Sequence, residues 1–228
     1  MNYSNLKKLF DIGRPITKDD NNPYIHFAYT HNKQNYRLIS SGEMFIKGKD
    51  IIIPEYVEQF MSFHNNALMI ADIISNKIIN IVFRSLDSNK EFLKYGSTKG
   101  IFYGLGELDT NFRYGDAILL VEGHLDRDVM ATMYKNTLGI MTNRLSNSQL
   151  HLLTGLTNKF ILMLDNDEAG RKGQSYAKHQ LEGNQILELE KDIRLKDAGE
   201  LVTYSRINPE MVDRILDNYK MQIEIFNM

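Results

Sequence analysis

The chain contains no cysteine, no tryptophan and only four prolines in 228 residues. Without cysteine it has neither a disulfide nor a thiolate zinc site of its own. Long apolar runs are also missing. The longest candidate, NALMIADIISNKIINIVF (66–83), is broken by Asp72, Asn76, Lys77 and Asn80, short of the roughly 20 apolar residues a membrane-spanning helix requires. The opening MNYSNLKKLF carries no apolar signal core. These absences predict a cytoplasmic protein with no membrane association. The six histidines show no HExxH or related metal spacing, although His124 follows Glu122 and Gly123 closely. Net charge is −2, without the positive excess that advertises a nucleic-acid binder, but local segregation of charge leaves that class open. What is present is ordinary for a folded chain: 43% hydrophobic residues fill a core, and 25% charged residues exclude a disordered composition.

The pattern changes along the chain. In the front part, YIHFAYTHNKQNYRLIS (24–40) alternates aromatic and polar residues and predicts strands. PEYVEQFMSFHNN (54–66) predicts a helix opened by Pro54, and 67–86 predicts two strands around a turn at Ser75–Asn76. The three glycines of GLGELDTNFRYG (104–115) read as a link. From Asp116 onward, short continuous apolar runs alternate with helical patterns: AILLVEG (117–123), LGIMTN (138–143), KFILMLD (159–165) and NQILELE (184–190). That alternation is the signature of a parallel sheet covered by helices on both faces. The fold class is therefore α/β, with a smaller α+β unit in front.

In such a sheet, ligands gather beyond the carboxyl ends of the strands. Three of the four runs release acids there. The first ends at Glu122, with Asp126 four residues on; the third ends at Asp165 and Asp167; the fourth leads to KDIRLKDAGEL (191–201), with Asp197 and Glu200. Each aspartate alone reads as a helix cap or as a ligand. Jointly they point to a hard divalent cation held by oxygen donors, with a carboxylate available as general base. The stretch 80–108 has Arg84, Lys90, Lys94 and Lys99 among Phe92, Tyr95 and Phe102, a composition open to a solvated hairpin or to phosphate contact with base stacking. Arg171 and Lys172 lie in the first turn of a helix, as solvated charges or as phosphate contacts.

Three strings, LLVEGHLDRDVM (119–130), ILMLDNDEAGRKG (161–173) and KDAGEL (196–201), resemble the motifs of Toprim domains. The preceding NIVFRSLDSNKEFLKYGSTKGIFYGLGEL (80–108) is similar to the corresponding segment of DnaG-type primases of bacteria and phages. The resemblance implies a Toprim parallel sheet flanked by helices, preceded by a primase-type N-terminal subdomain. The implied division is 1–114 for that subdomain, 115–205 for the Toprim domain and 206–228 for a C-terminal helical extension. It implies Glu122, Asp165 and Asp167 as catalytic residues, and these with Asp197 as ligands of Mg²⁺ or Mn²⁺ at two positions, with no zinc. Asp126 and Glu200 are additional acids, and Arg84, Lys94, Tyr95, Lys99, Arg171 and Lys172 face nucleic acid or nucleotide.

The implied activity is a DNA-directed RNA polymerase of the primase type, making RNA primers on single-stranded DNA from ribonucleoside triphosphates. A replicative helicase, or a zinc-ribbon factor acting in trans, would be its partner. One departure stands out: where primases usually carry Asp-Pro-Asp, this chain has Asp197-Ala198-Gly199, with Glu200 one position further on. A Lys-Asp-Ala opening is what phage-type primases tend to show, so a stripped phage primase core is expected, with no fused helicase and no room for a full helicase-interaction domain. A Toprim nuclease using the same acids, and a degenerate primase-like scaffold or inhibitor, are the alternatives.

Overall fold

The computed structural model describes residues 3–20, 22–31, 35–39, 67–86, 92–96, 100–192 and 194–228. By its internal contacts the chain divides into two compact units, Met1–Ser97 and Thr98–Met228.

The first unit is built on an antiparallel sheet of order β1-β2-β3-β4-β5: Arg14–Pro15, Tyr36–Ile39, Ala67–Ile74, Lys77–Ser85 and Phe92–Gly96. Helix α1 (Tyr3–Ile12) places Leu6, Leu9 and Phe10 at helical spacing, and these pack with Ala67, Met69, Ala71, Ile81 and Phe83 of the sheet. The expected turn joins β3 to β4. Ser75 and Asn76 both have positive φ (49° and 59°), the backbone a two-residue hairpin needs to match strand twist. Two of the polar residues that break the apolar run face each other across this hairpin: Asn80 Nδ2 donates to Asp72 Oδ2 at 2.8 Å, so both are buried as a pair.

The strand expected from residue 24 is not there. Pro23–His31 forms helix α2, and only Tyr36–Ile39 of that stretch is a strand. The cause is local: Asn22 Oδ1 accepts the Tyr24 amide at 3.0 Å and Pro23 occupies the first turn, a helix start that outweighs the aromatic alternation. Ile25, Phe27 and Ala28 are its buried residues. The helix expected at 54–66 lies outside the described residues.

The second unit holds a parallel sheet of order β7-β6-β8-β9, comprising β6 (Ile118–Val121), β7 (Thr137–Gly139), β8 (Lys159–Leu162) and β9 (Gln185–Glu188). All three pairings are parallel. Helices α3 (His124–Ala131), α4 (Asn147–Leu156) and α5 (Glu168–Gln180) provide the crossovers, and α6 (Glu200–Ile207) and α7 (Pro209–Asn227) follow. The central strand ILLV is buried at every position, as a strand covered on both faces must be. Residues 101–112 do not behave as a free link. Tyr103 exchanges two backbone hydrogen bonds of 3.0 Å with Gly139 at the β7 edge, and Leu105, Leu108 and Phe112 pack on the core of the parallel sheet. The contact division thus falls at 97/98, ahead of the 114/115 boundary expected from the sequence.

α7 begins where Asn208 Oδ1 accepts the Met211 amide at 3.1 Å. It buries Val212, Ile215, Tyr219 and Ile223 along one face. No helix among the described residues is long and apolar enough to cross a membrane.

Candidate metal centre

Because the four strands run parallel, their carboxyl ends lie on one edge, and the chain delivers acids to that edge three times. Glu122 directly follows β6. Its Oε2 is buried and has no hydrogen-bond partner among the described residues. Burial pushes its carboxyl up from the ordinary range, the negative charge of Asp167 adds to this, and the backbone amide of Asp165 pulls it back.

Asp126, in the first turn of α3, joins the first and third motifs. Its Oδ2 accepts the Gly123 amide at 3.0 Å and its Oδ1 accepts the Gly199 amide at 2.8 Å. Burial and the charge of Asp197 nevertheless push it up to about 6. Asp165 is driven further, to about 8, first by burial and then by Asp126, Glu122, Asp197 and Asp167. Five carboxylates therefore feel one another, and Asp165 resists ionisation at neutral pH.

Asp167 has a different environment. It caps α5, its Oδ1 accepting the Gly170 amide at 2.9 Å. Lys196 Nζ stands 3.4 Å from its Oδ2. These contacts hold its carboxyl below the usual range, the Gly170 amide being the largest cause. The cap reading of the sequence is thus realised, while the side chain remains electrostatically coupled to Glu122 and Asp165. Asp197 caps the next turn, its Oδ1 accepting the Glu200 amide at 2.9 Å. Glu200 does not turn toward the cluster: its Oε2 accepts the Lys196 amide at 2.8 Å.

The glycine of the second motif has a steric reason. A Cβ at Gly170 would lie 2.2 Å from the Asp165 carbonyl oxygen, so only glycine lets the first turn of α5 press against the backbone that carries Asp165.

Among the described residues no three His, Asp or Glu side chains already stand as a ligand set. The donors nevertheless fit a hard divalent cation: all are carboxylates, one has a buried oxygen without a partner among the described residues, and burial together with mutual repulsion raises the pKa of two of them. Glu122, Asp165, Asp167 and Asp197 would hold it, with Asp126 behind them.

The expected basic contacts are more dispersed. Arg171 donates to the Asn166 carbonyl at 2.9 Å, and Lys172 pairs with Glu168 at 2.6 Å on the exposed face of α5. In the first unit Arg84 lies over the Tyr24 ring at 4.2 Å, and Lys94 is exposed on β5. Tyr95 is described only in its backbone, on β5, and Lys99 lies outside the described residues. His124 is buried with its ring against Tyr103, 4.6 Å between centroids.

Three basic residues near the site were missed in the sequence. Lys196 was visible as the residue before Asp197. Lys191 and Arg127 left no signal. Arg127 is buried and donates to the Thr137 carbonyl (3.1 Å), Glu107 (2.6 Å) and Asp128 (3.1 Å), and Asp128 also accepts the Tyr103 hydroxyl at 2.9 Å. This network ties the segment before the sheet to α3, the helix that follows Glu122.

Residues 119–202 match the family model described as Toprim-like. The fold of the chain is that of DnaG primase catalytic domains. The RNA polymerase domain of Mycobacterium tuberculosis primase DnaG superposes with a TM-score of 0.65 at 15% identity, covering 94% of this chain and 81% of that one. A DnaG primase catalytic domain bound to single-stranded DNA gives 0.59 at 16% identity, over 94% and 79%. The zinc-binding and RNA polymerase domains of Aquifex aeolicus primase give 0.58 at 17% identity, over 95% and 56%. The chain spans only 52% to 62% of the length of several primase chains it matches. No curated protein sequence matches it.

Proposed function

We propose that the chain is the catalytic core of a DNA primase that joins ribonucleotides into short RNA primers on single-stranded DNA. The observation that carries this reading is the coupling of Glu122, Asp126, Asp165, Asp167 and Asp197 at one sheet edge, in a chain with the primase fold.

In the reaction the 3′-hydroxyl of the growing primer loses its proton and attacks the α-phosphorus of an incoming nucleoside triphosphate. The phosphorus–oxygen bond to the β-phosphate breaks, and pyrophosphate leaves. Mg²⁺ or Mn²⁺, when bound, would neutralise phosphate charge and favour loss of the hydroxyl proton. The chain's own part is to position and to balance charge. Glu122, Asp165, Asp167 and Asp197 would hold the cation. Asp126 keeps the first and third motifs together through Gly123 and Gly199. Lys196, Arg171 and Lys172 are the proposed triphosphate contacts, and Arg84, Lys94, Tyr95 and Lys99 the proposed contacts to template and product. A replicative helicase or a zinc-ribbon factor acting in trans is the partner this reading calls for.

The test is primer synthesis on single-stranded DNA with four ribonucleotides, one labelled, and Mg²⁺ or Mn²⁺. An Asp165→Ala/Asp167→Ala double variant runs alongside. Short labelled RNA from the wild type alone supports the reading. Cleavage of DNA or RNA in place of synthesis overturns it in favour of a Toprim nuclease. Absence of both activities together with absence of Mn²⁺ binding overturns it in favour of a scaffold.

A further inference from the structure

The peptide that carries Asp165 lies beyond the sheet ladder. β8 ends at Leu162, and the Leu164 backbone is held by side chains. Its amide donates to Gln174 Oε1 at 3.2 Å, and its carbonyl accepts Lys191 Nζ at 2.6 Å. The same ammonium reaches the Asp165 carbonyl at 3.5 Å and Gln174 Oε1 at 3.4 Å. On the far side, the Asn166 amide is bonded to the Lys196 carbonyl at 2.5 Å.

Among the described residues, every acceptor of the Lys191 ammonium is neutral. The nearby acids are engaged elsewhere: Glu188 pairs with Lys178, and Asp192 with Arg194. A half-buried cation solvated by carbonyl oxygens keeps its charge for its surroundings, and those surroundings hold Asp165 and Asp167. The ammonium thus meets two needs at once. It completes the hydrogen bonding of a backbone segment that has no strand partner, and it offsets repulsion among carboxylates.

The geometry points to Lys191 as a positioning residue: with Gln174 it clamps the Leu164–Asp165 peptide and fixes the direction in which the Asp165 carboxylate meets a divalent cation. Groups that orient ligands from behind in this way govern metal affinity by about 10- to 100-fold. This inference rests on the metal-centre reading proposed above.

The experiment is Mn²⁺ titration by calorimetry, with thermal melting in the presence and absence of Mn²⁺, on the full chain. The variants are Lys191→Met, Lys191→Arg and Gln174→Met. Lys191→Met is expected to bind Mn²⁺ about tenfold more weakly or worse and to lose most of the Mn²⁺-induced rise in melting temperature. Lys191→Arg, which keeps charge and donors, is expected to restore most of both. Gln174→Met removes the other half of the clamp and is expected to weaken binding in the same direction, so the inference stays testable if Lys191→Met does not fold. Binding by Lys191→Met or Gln174→Met as tight as wild type, or tighter, overturns the clamp: Lys191 would then serve stability alone or compete with the cation. A wild type that does not bind Mn²⁺ overturns the metal-centre reading, and the clamp falls with it.

Discussion

Asp126 Oδ1 accepts the backbone amide of Gly199 at 2.8 Å, across 73 positions of sequence. The same carboxylate accepts the Gly123 amide at 3.0 Å, so one side chain pins the turn after β6 to the turn before α6. Asp126→Ala leaves both amides without that partner. At about 1–3 kcal/mol for an orphaned group, the expected result is a loss of stability of that order in urea unfolding and a loss of Mn²⁺ affinity. Asp126→Asn, which keeps one acceptor, is expected to fall between the variant and wild type.

Stability of the metal-free chain should depend on pH in a direction set by the same cluster. The ordinary aspartate value near 3.9 applies in the unfolded chain. In the fold Asp126 sits at about 6 and Asp165 at about 8. Raised folded values mean that the folded state binds more protons than the unfolded state between these limits, so stability falls as pH rises through that window. The metal-free protein is expected to melt higher at pH 5 than at pH 8. Mn²⁺, which takes the place of those protons, is expected to flatten the slope, as is Asp165→Asn. A melting temperature that rises from pH 5 to pH 8 without metal would contradict the electrostatic account. Asp167 and Asp192 shift the other way and act below this window.

The cap role of Asp167 can be separated from its charge. Asn is as good an N-cap as Asp, whereas Ala costs about 1 kcal/mol. Asp167→Asn is thus expected to melt close to wild type and yet to lose Mn²⁺ affinity and primer synthesis, while Asp167→Ala loses stability as well. Calorimetry and thermal melting on the two variants give the comparison. Equal Mn²⁺ binding by Asp167→Asn and wild type would reduce Asp167 to a cap.

The buried Arg127 network makes a prediction about Gly104. Its φ is 86°, and a Cβ there would lie 2.2 Å from Arg127 Nε. Gly104→Ala must adopt a backbone costing about 1–3 kcal/mol and also displace a guanidinium that neutralises Glu107 and Asp128. We expect a loss of at least about 2 kcal/mol in urea unfolding. Arg127→Met, which leaves Asp128 buried without its cation, is expected to cost about 3–5 kcal/mol.

What was legible in the sequence follows from the range over which each signal acts. The strands of the parallel sheet read directly because a strand buried on both faces is apolar at each position, as ILLV is. The acids after Val121 and Leu162 stood out because strand ends are where such runs stop. The Ser75–Asn76 turn was legible for the same local reason. Pro23–His31 misled because its alternating aromatics suit a strand, while its start is fixed by Asn22, a single capping contact outside the pattern. Lys191 was illegible because its partners are backbone carbonyls 26 and 27 positions away. Arg127 was illegible because Glu107 and Thr137 meet it only once the chain is folded. Neither kind of contact constrains residue type at a fixed spacing.

Glu122 offers the sharpest opposition between stability and function. Its carboxyl is pushed up by burial and by Asp167, and its buried Oε2 has no hydrogen-bond partner among the described residues. A carboxylate in that position costs stability as long as no cation is present. Glu122→Gln keeps the shape, removes the charge and relieves the repulsion on Asp126 and Asp165. We expect the metal-free variant to be at least as stable as wild type, with the advantage growing as pH rises toward 8, and to bind Mn²⁺ far more weakly and make no primers. Thermal melting across pH, paired with Mn²⁺ titration, measures both sides. A Gln variant that is less stable than wild type yet binds Mn²⁺ equally well would make Glu122 a structural residue, because repulsion without metal and attraction with it are two consequences of the same buried charge.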